Sequence, residues 1–310
     1  MMHSKKCSAI DGEMDAQLDS FEQYRYLLFS IAYRMVGSAM DAEDLVQDAY
    51  LRWQSAATEE IDNPKAFLTT IVTRLAIDHY RSARVQREQY VGSWLPEPIL
   101  TDVNKRVIHD GDPVALADTV SMAFLVLLET LSPAQRAVFL LRDVFDFPYR
   151  DIAAIVDQSE VNCRQMASRA RAHIRAGRPR FEIARDEHEA LTRRFLQSCA
   201  TGDLDALMAM LAPEVTSWAD GGGVVSAIRQ PMLGAGRVAR LFVQLWRQAT
   251  PAMRWRILQV NNQPGFAIYD GDTIITVVAL DVVDGLIAGI RAVVNPMKLR
   301  HLNRTIGASQ

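Results

Sequence analysis

The sequence predicts a multidomain chain: two all-helical units followed by an α+β module with a cone-shaped interior. Three observations carry that reading. From Phe21 onward apolar residues recur three and four apart, the spacing of one buried helix face. A stretch at 89–115 containing Gly92, Pro96, Pro98, Gly111 and Pro113 interrupts the pattern, because prolines so spaced oppose a continuous helix. Beyond residue 210 the apolar runs become strand-like and are separated by hairpin-type turns at Asp270–Gly271–Asp272 and Asp284–Gly285. A chain of 310 residues that is 49% apolar is long enough for two or three units, each with its own core.

Each element has a local cause. Residues 1–14 read as a loose tail. Phe21, Tyr24, Leu28, Ile31 and Met35 form a stripe that Gly37 can end, and Ser38 with Asp41 resembles a capping box. The next helix turns Leu45, Val46, Ala49 and Trp53 inward and leaves Asp41, Glu43, Asp44, Gln47, Asp48 and Arg52 on a mainly acidic surface. Asn63–Pro64 supplies a cap and a first-turn proline for a long helix. That helix turns basic at Arg74, His79, Arg81, Arg84 and Arg87. The first unit is therefore 15–88, and 89–115 is a linker.

Helical pattern resumes in a unit at 116–178. Ser132, Pro133 and Gln135 mark one helix start. A short helix at Asp151–Val156, a break at Asp157–Gln158–Ser159 and a longer basic helix have the spacing of a helix-turn-helix. The longer helix offers Asn162, Arg164, Gln165, Ser168, Arg169, Arg171, His173 and Arg175, with Val161, Met166 and Ala170 facing inward. After a break at Gly177–Pro179, the third module spans 186–305. Two short helices lead into antiparallel strands at Val215–Trp218, Arg254–Val260, Gly265–Tyr269, Thr273–Val283 and Leu286–Val294, with a further helix at Val238–Trp246.

The net charge of −3 excludes a uniformly basic nucleic-acid coat protein but not one with local basic faces. Cys7, Cys163 and Cys199 are odd in number and widely spaced, so no metal set or complete disulfide framework is expected, and a reducing cytoplasm fits best. No cofactor site is evident. No secretory signal is read at the start, and no run reaches the ~20 apolar residues of a membrane span.

Two basic helical faces on separate units suit a duplex contacted at two places. Arginine, asparagine and glutamine on a helix can read base edges in the major groove or grip phosphate. The acidic helix would repel phosphate and so faces a protein partner, where charge guides register more than affinity. Tyr80 and Tyr90 either stack on unpaired bases or serve as a buried anchor and a loop residue; sequence leaves both open.

Residues 21–88, with DAEDLVQDAYLRW at 41–53, resemble the first conserved domain of extracytoplasmic-function sigma factors. Residues 120–176, with LSPAQRAVFLLRDVFDFPYRDIAAIV at 131–156, resemble the second. WLPEPI at 94–99, DGGG at 220–223 and NPMKL at 295–299 resemble motifs of a subgroup carrying a SnoaL-like (NTF2-like) module; Met297 stands where that subgroup usually has aspartate. The resemblance implies a sigma-70-type factor that brings core RNA polymerase to promoter DNA. It implies that Asp44, Leu45, Gln47 and Asp48 dock on the clamp helices of the polymerase's largest subunit. Arg74, Asp78, Arg81 and Arg84 would act at the −10 element, and Arg164, Gln165, Ser168, Arg169 and Arg171 at the −35 element. The appended module would regulate the factor in cis through Trp94, Leu95, Pro96, Glu97, Pro98, Asp220, Gly221, Gly222, Gly223, Asn295, Pro296, Lys298 and Leu299. Tethering gives such a module a high effective concentration.

The alternative is a DNA-binding regulator whose last module binds or transforms a small apolar ligand. Catalysis would need an acid or base in the interior, for which Asp220, Asp270, Asp281 and Asp284 are the nearest candidates. An unidentified ligand without turnover is the simpler version.

Overall fold

Local signals set the helix ends. In chain order the helices are α1 (Met2–Val36), α2 (Ala39–Ser55), α3 (Pro64–Glu88), α4 (Met122–Leu128), α5 (Pro133–Phe139), α6 (Tyr149–Val156), α7 (Glu160–Gly177), α8 (Arg185–Thr201), α9 (Leu204–Met210), α10 (Ala235–Arg247) and α11 (Pro296–Gly307). The strands are β1 (Leu211–Asp220), β2 (Met232–Leu233), β3 (Met253–Val260), β4 (Gln263–Asp270), β5 (Thr273–Val283) and β6 (Leu286–Val293). The structure, a computed structural model, describes residues 2–56, 61–101, 120–177 and 184–307. Helix α1 begins at Met2, so the tail expected at 1–14 is helical from there on.

The expected caps are present. Gly37 takes φ +71° and donates its amide to Tyr33 O at 2.8 Å, ending α1. Ser38 accepts from the Asp41 amide at 3.1 Å, and Asn63 from the Ala66 amide at 3.0 Å. Ser132 and Gln135 form a reciprocal capping box with Pro133 at the first turn. A π-helical turn at Leu140–Val144 follows α5.

The chain divides into two compact units. One joins residues up to Arg84 with Leu131–His173; the other joins Val85–Thr130 with the chain from Ile174 onward. In the first, α1, α2 and α3 bury Phe21, Leu28, Ile31, Met35, Leu45, Val46, Trp53, Leu68 and Val72. The same unit contains α5 and the helix-turn-helix. Arg136 is fully buried within it, donating to Arg34 O at 2.8 Å and lying 5.0 Å from the Tyr80 ring centre.

The second unit is built on a six-stranded sheet of order β2-β1-β6-β5-β4-β3. Neighbours pair antiparallel except β1 and β6, which run parallel. Both features correct the expected antiparallel cone. The sheet is mixed and open, with β2 at one edge and β3 at the other. Two local causes oppose closure. Strand β2 has only two residues, and the linker occupies the free side of β3 at its C-terminal end. Leu100 bridges Val260, Thr101 donates to Gln259 O at 2.9 Å, and Asn261 donates to Ile99 O at 2.8 Å.

Each face of the sheet buries a separate core. One packs against α8, α9 and α10 through Phe195, Leu207, Val238 and Val243. The other packs against Leu95 and Leu100 of the linker, Met122 of α4, and Leu299 and Leu302 of α11. Alternation along β1 and β6 separates the sides: Ser217, Ala219 and Ala292 face the helices, while Trp218 and Val293 face the linker.

Candidate functional site

The second helix of the helix-turn-helix, α7, is positioned by a left-handed Asp157 at the break, φ +53°. Its inward face is Cys163, Ala167, Ala170 and Ile174, all buried. Val161, expected to face inward, is 63% exposed. The small residues Cys163, Ala167 and Ala170 fix this register because they let the helix lie close to its neighbours. Gln165, Ser168 and Arg169 are exposed. Arg164 pairs with Glu160 at 2.7 Å and stands 5.2 Å from the Tyr149 ring centre. Arg171 is held more firmly: its Nε donates to Asp143 at 2.7 Å and its Nη2 to the Tyr149 hydroxyl at 3.2 Å. The Asp143 hydrogen bond raises its pKa.

The candidate −10 residues divide likewise. Asp78 and Arg81 are exposed and lie 3.3 Å apart. Arg74 donates from Nε to Ile155 O at 3.0 Å and from Nη2 to Ala154 O at 2.8 Å, satisfying carbonyls in the last turn of α6. The side chain of Arg84 lies outside the described residues. Tyr80 is 2% exposed, which favours the anchor over the base-stacking alternative. On α2, Asp44, Gln47 and Asp48 are exposed, whereas Leu45 is buried in the helical core and supports that surface from beneath.

In the second unit the three sequence motifs converge on Asp220, at the end of β1 and fully buried. Its Oδ1 accepts from the Tyr90 hydroxyl at 2.6 Å and the Gly222 amide at 3.1 Å. Its Oδ2 accepts from the Leu95 amide at 2.8 Å and from Lys298 Nζ at 2.7 Å. Lys298 also donates to Leu95 O and sits 4.2 Å from the Trp94 ring centre and 5.1 Å from that of Tyr90. Asn295 donates to the Tyr90 hydroxyl at 2.9 Å, and the amides of Val294 and Asn295 both reach Asp220 O at 2.9 Å. A buried carboxylate and ammonium, taken from water, are tolerable when paired and hydrogen-bonded in this way. Burial pushes the Lys298 pKa down against the opposing pull of Asp220. Burial and the Asp220 carboxylate both push the Tyr90 pKa up.

Gly222 explains its motif. It has φ +61°, and a Cβ there would lie 2.2 Å from Asn295 Nδ2. Met297 is exposed and contributes only its amide, bonded to Asn295 Oδ1 at 3.0 Å. Pro96, Glu97 and Pro98 are buried, while Pro296 is exposed. The grip continues along the linker: His301 Nε2 lies 2.9 Å from Pro98 O, and Asn261 accepts from the Ile99 amide at 3.0 Å and donates to Val120 O at 2.9 Å. Burial lowers the His301 pKa.

Sequence reasoning missed Asn261 and Glu129, and it read Arg87 only as part of the basic helix end. Arg87 stacks 3.8 Å from the Trp94 ring centre and pairs with Glu129. The Glu129 and Asn261 contacts join segments distant in the chain, for which sequence carries no local signal. It also missed Arg291, which pairs with Asp281 on the linker side of the sheet, 4.5 Å from the Trp218 ring centre. Of the acids considered for catalysis, Asp220 and Asp281 are thus engaged in ion pairs, Asp270 ends β4 and Asp284 sits in the turn after β5. None of them lines the cavity that lies between the sheet and helices α8 and α10.

The first unit combines a helix-turn-helix with a three-helix module whose α2 exposes Asp44 and Asp48, a combination that fits a sigma-70-type initiation factor. The sigma-70 region 2 family profile matches residues 20–85, and the sigma-70 region 4 profile matches 121–174. The chain belongs to the extracytoplasmic-function RNA polymerase sigma factors. It is 35% identical over 295 residues to SigJ of Mycobacterium tuberculosis, covering 91% of this chain and 93% of that one. It is 33% identical over 291 residues to the probable sigma factor SigI of the same species, covering 93% and 96%. The crystal structure of M. tuberculosis SigJ matches with a TM-score of 0.73 at 32% identity, over 91% of this chain and 98% of that one. The function is that of a sigma factor, acting with core RNA polymerase at promoter DNA. Among the described residues no helix is long and apolar enough to cross a membrane.

Proposed function

We propose that the third module governs this sigma factor in cis by holding the segment that joins its two helical domains. The observation that carries the reading is the grip of Asp220 and Lys298 on Leu95, with the Leu95 amide 2.8 Å from the carboxylate. A clamp on this linker sets how freely the two DNA-reading domains can separate. The domain limits 15–88, 89–115, 116–178 and 186–305 serve as the working division, and the factor acts in the cytoplasm.

Within that scheme α7 enters the major groove of the −35 element, with Gln165, Ser168 and Arg169 presented and Arg164 and Arg171 released from their internal partners. Asp78, Arg81 and Arg84 act at the −10 element, joined by Arg74 once it leaves the carbonyls of α6. Asp44, Gln47 and Asp48 meet the polymerase. Arg74 is exposed, yet its guanidinium is bonded to two backbone carbonyls, which favours a free form in which it must exchange those partners to reach promoter DNA.

The test is transcription with core polymerase and a selected promoter library, comparing the full chain, a chain ending near Arg180, a trim after Val294 and Asp220→Ala. Altered promoter activity in the trims and in Asp220→Ala is expected. Equal activity in all four would end the cis reading.

A further inference from the structure

A cavity of about 540 Å³ opens on the face of the sheet opposite the linker clamp. It lies between α8, α10 and strands β1, β3, β4, β5 and β6, within the second unit. Its size falls in the range of sites that bury drug-sized ligands. Phe195, Phe242, Trp246, Phe266 and Ile268 give it an apolar wall. Phe195 and Phe242 meet edge to face at 5.2 Å, and Trp246 and Trp255 lie 6.3 Å apart.

The polar part of the lining selects the chemistry. Ser217, Thr276 and Gln248 bring hydroxyl and amide groups. Among the described residues the only charged one on the wall is Arg254, whose guanidinium is bonded to Gly271 O at 2.7 Å and Asp272 at 3.1 Å. Such a wall suits a neutral molecule with flat apolar rings and one or two oxygen substituents. It supplies no carboxylate or histidine to transfer a proton.

The cavity is also joined to the clamp through the chain itself. Ala219 lines the cavity, and Asp220 follows it; Val294 lines the cavity, and Asn295 follows it. The loop after β1 touches both sites. Ser226, Ala227 and Ile228 wall the cavity, whereas Gly222 packs against Asn295 and Tyr90, and Gly223 against Val91.

We propose that this cavity binds a neutral, largely apolar small molecule, and that the 221–228 loop passes its occupancy to the linker clamp. The coupling rests on the cis reading above; the binding site does not. A ligand pressing on Ala219, Ala227 or Val294 displaces residues adjacent to Asp220, Gly222 and Asn295, and so shifts the hold on Leu95. A ligand that favours one state of the clamp moves the equilibrium by its difference in affinity for the two.

The full chain is titrated with N-phenyl-1-naphthylamine, a neutral apolar fluorophore, while amide exchange is followed at Leu95. Saturable binding at one site per chain is expected, with a changed Leu95 exchange rate. Ser217→Leu and Ala292→Leu, which fill the cavity, should weaken binding at least about tenfold, or ~1.4 kcal/mol. Leu245→Glu places a charge at the rim, at a residue 50% exposed, and should weaken binding without burdening the core. No saturable binding, or unchanged affinity in all three variants, overturns the site. Saturable binding with unchanged Leu95 exchange overturns the coupling. The transcription comparison of trimmed chains uses no probe, so failure of cis control reads out separately.

Discussion

Arg74 of α3 places two hydrogen bonds on the last turn of α6, at 3.0 Å to Ile155 O and 2.8 Å to Ala154 O. A residue proposed to act at the −10 element is here part of a packing contact between two helical elements far apart in sequence. Charged hydrogen bonds of this kind contribute more than neutral ones. Arg74→Ala should lower the stability of the helical unit by about 1–2 kcal/mol, read as a shift in a denaturant midpoint. Arg74→Lys should recover only part, because an ammonium cannot reproduce the guanidinium fork. Wild-type stability in Arg74→Ala would show that this contact does not hold the unit.

Asp220 accepts four hydrogen bonds from three segments of the chain, so its removal strands several buried donors together. Asp220→Ala should destabilise the second unit by roughly 3–5 kcal/mol, the cost of leaving one partner of a buried ion pair alone. Lys298→Met should cost less than the sum suggests when combined with Asp220→Ala, because both remove one interaction. A double-mutant cycle measured by thermal unfolding decides this; additive losses would mean that the pair is not coupled.

Much of the fold was legible because its signals are local. The Ser38, Asn63 and Ser132 caps, the Asp157 break and the strand runs all depend on neighbouring residues. The cone failed because strand order and the parallel β1–β6 pairing are long-range choices with no local signal, as is the arrival of Leu100 at the end of β3 from 160 residues earlier. The three motifs were visible in sequence, but their convergence on Asp220 was not, since Tyr90 and Lys298 join it only through tertiary packing. Val161 was misread for a related reason. Periodicity alone offers several helix faces, and the small residues Cys163, Ala167 and Ala170 choose among them.

On α7, exposure separates two arginines that sequence treats alike. Arg169 is exposed, and Arg171 is bonded to Asp143 and Tyr149. Arg169→Ala should leave stability within about 0.5 kcal/mol of wild type and weaken binding to a cognate −35 duplex by ~1–3 kcal/mol if it reads a base. Arg171→Ala should lower stability measurably as well. Duplex titrations at two salt concentrations, beside denaturant curves, separate these effects, since loss of a phosphate contact also flattens the salt dependence. Unchanged duplex affinity in Arg169→Ala would remove that residue from the interface.

His188 of α8 gives the second unit a dependence on pH. It is 3% exposed, its Nε2 has no hydrogen-bond partner among the described residues, and burial lowers its pKa to about 4 despite a backbone bond with Leu280. The unfolded chain takes up a proton near the ordinary value of 6.5, while the folded chain resists it until about 4. Below 6.5 the unfolded state therefore binds more protons, and stability falls with pH until both forms are protonated. The stabilisation present at pH 7.5 should drop by about 2 kcal/mol at pH 5 through this residue. His188→Asn carries no titrating group and should lose correspondingly less over that interval. Guanidinium unfolding of both proteins at pH 7.5 and pH 5 measures the difference. Identical losses would mean that His188 does not control the pH response.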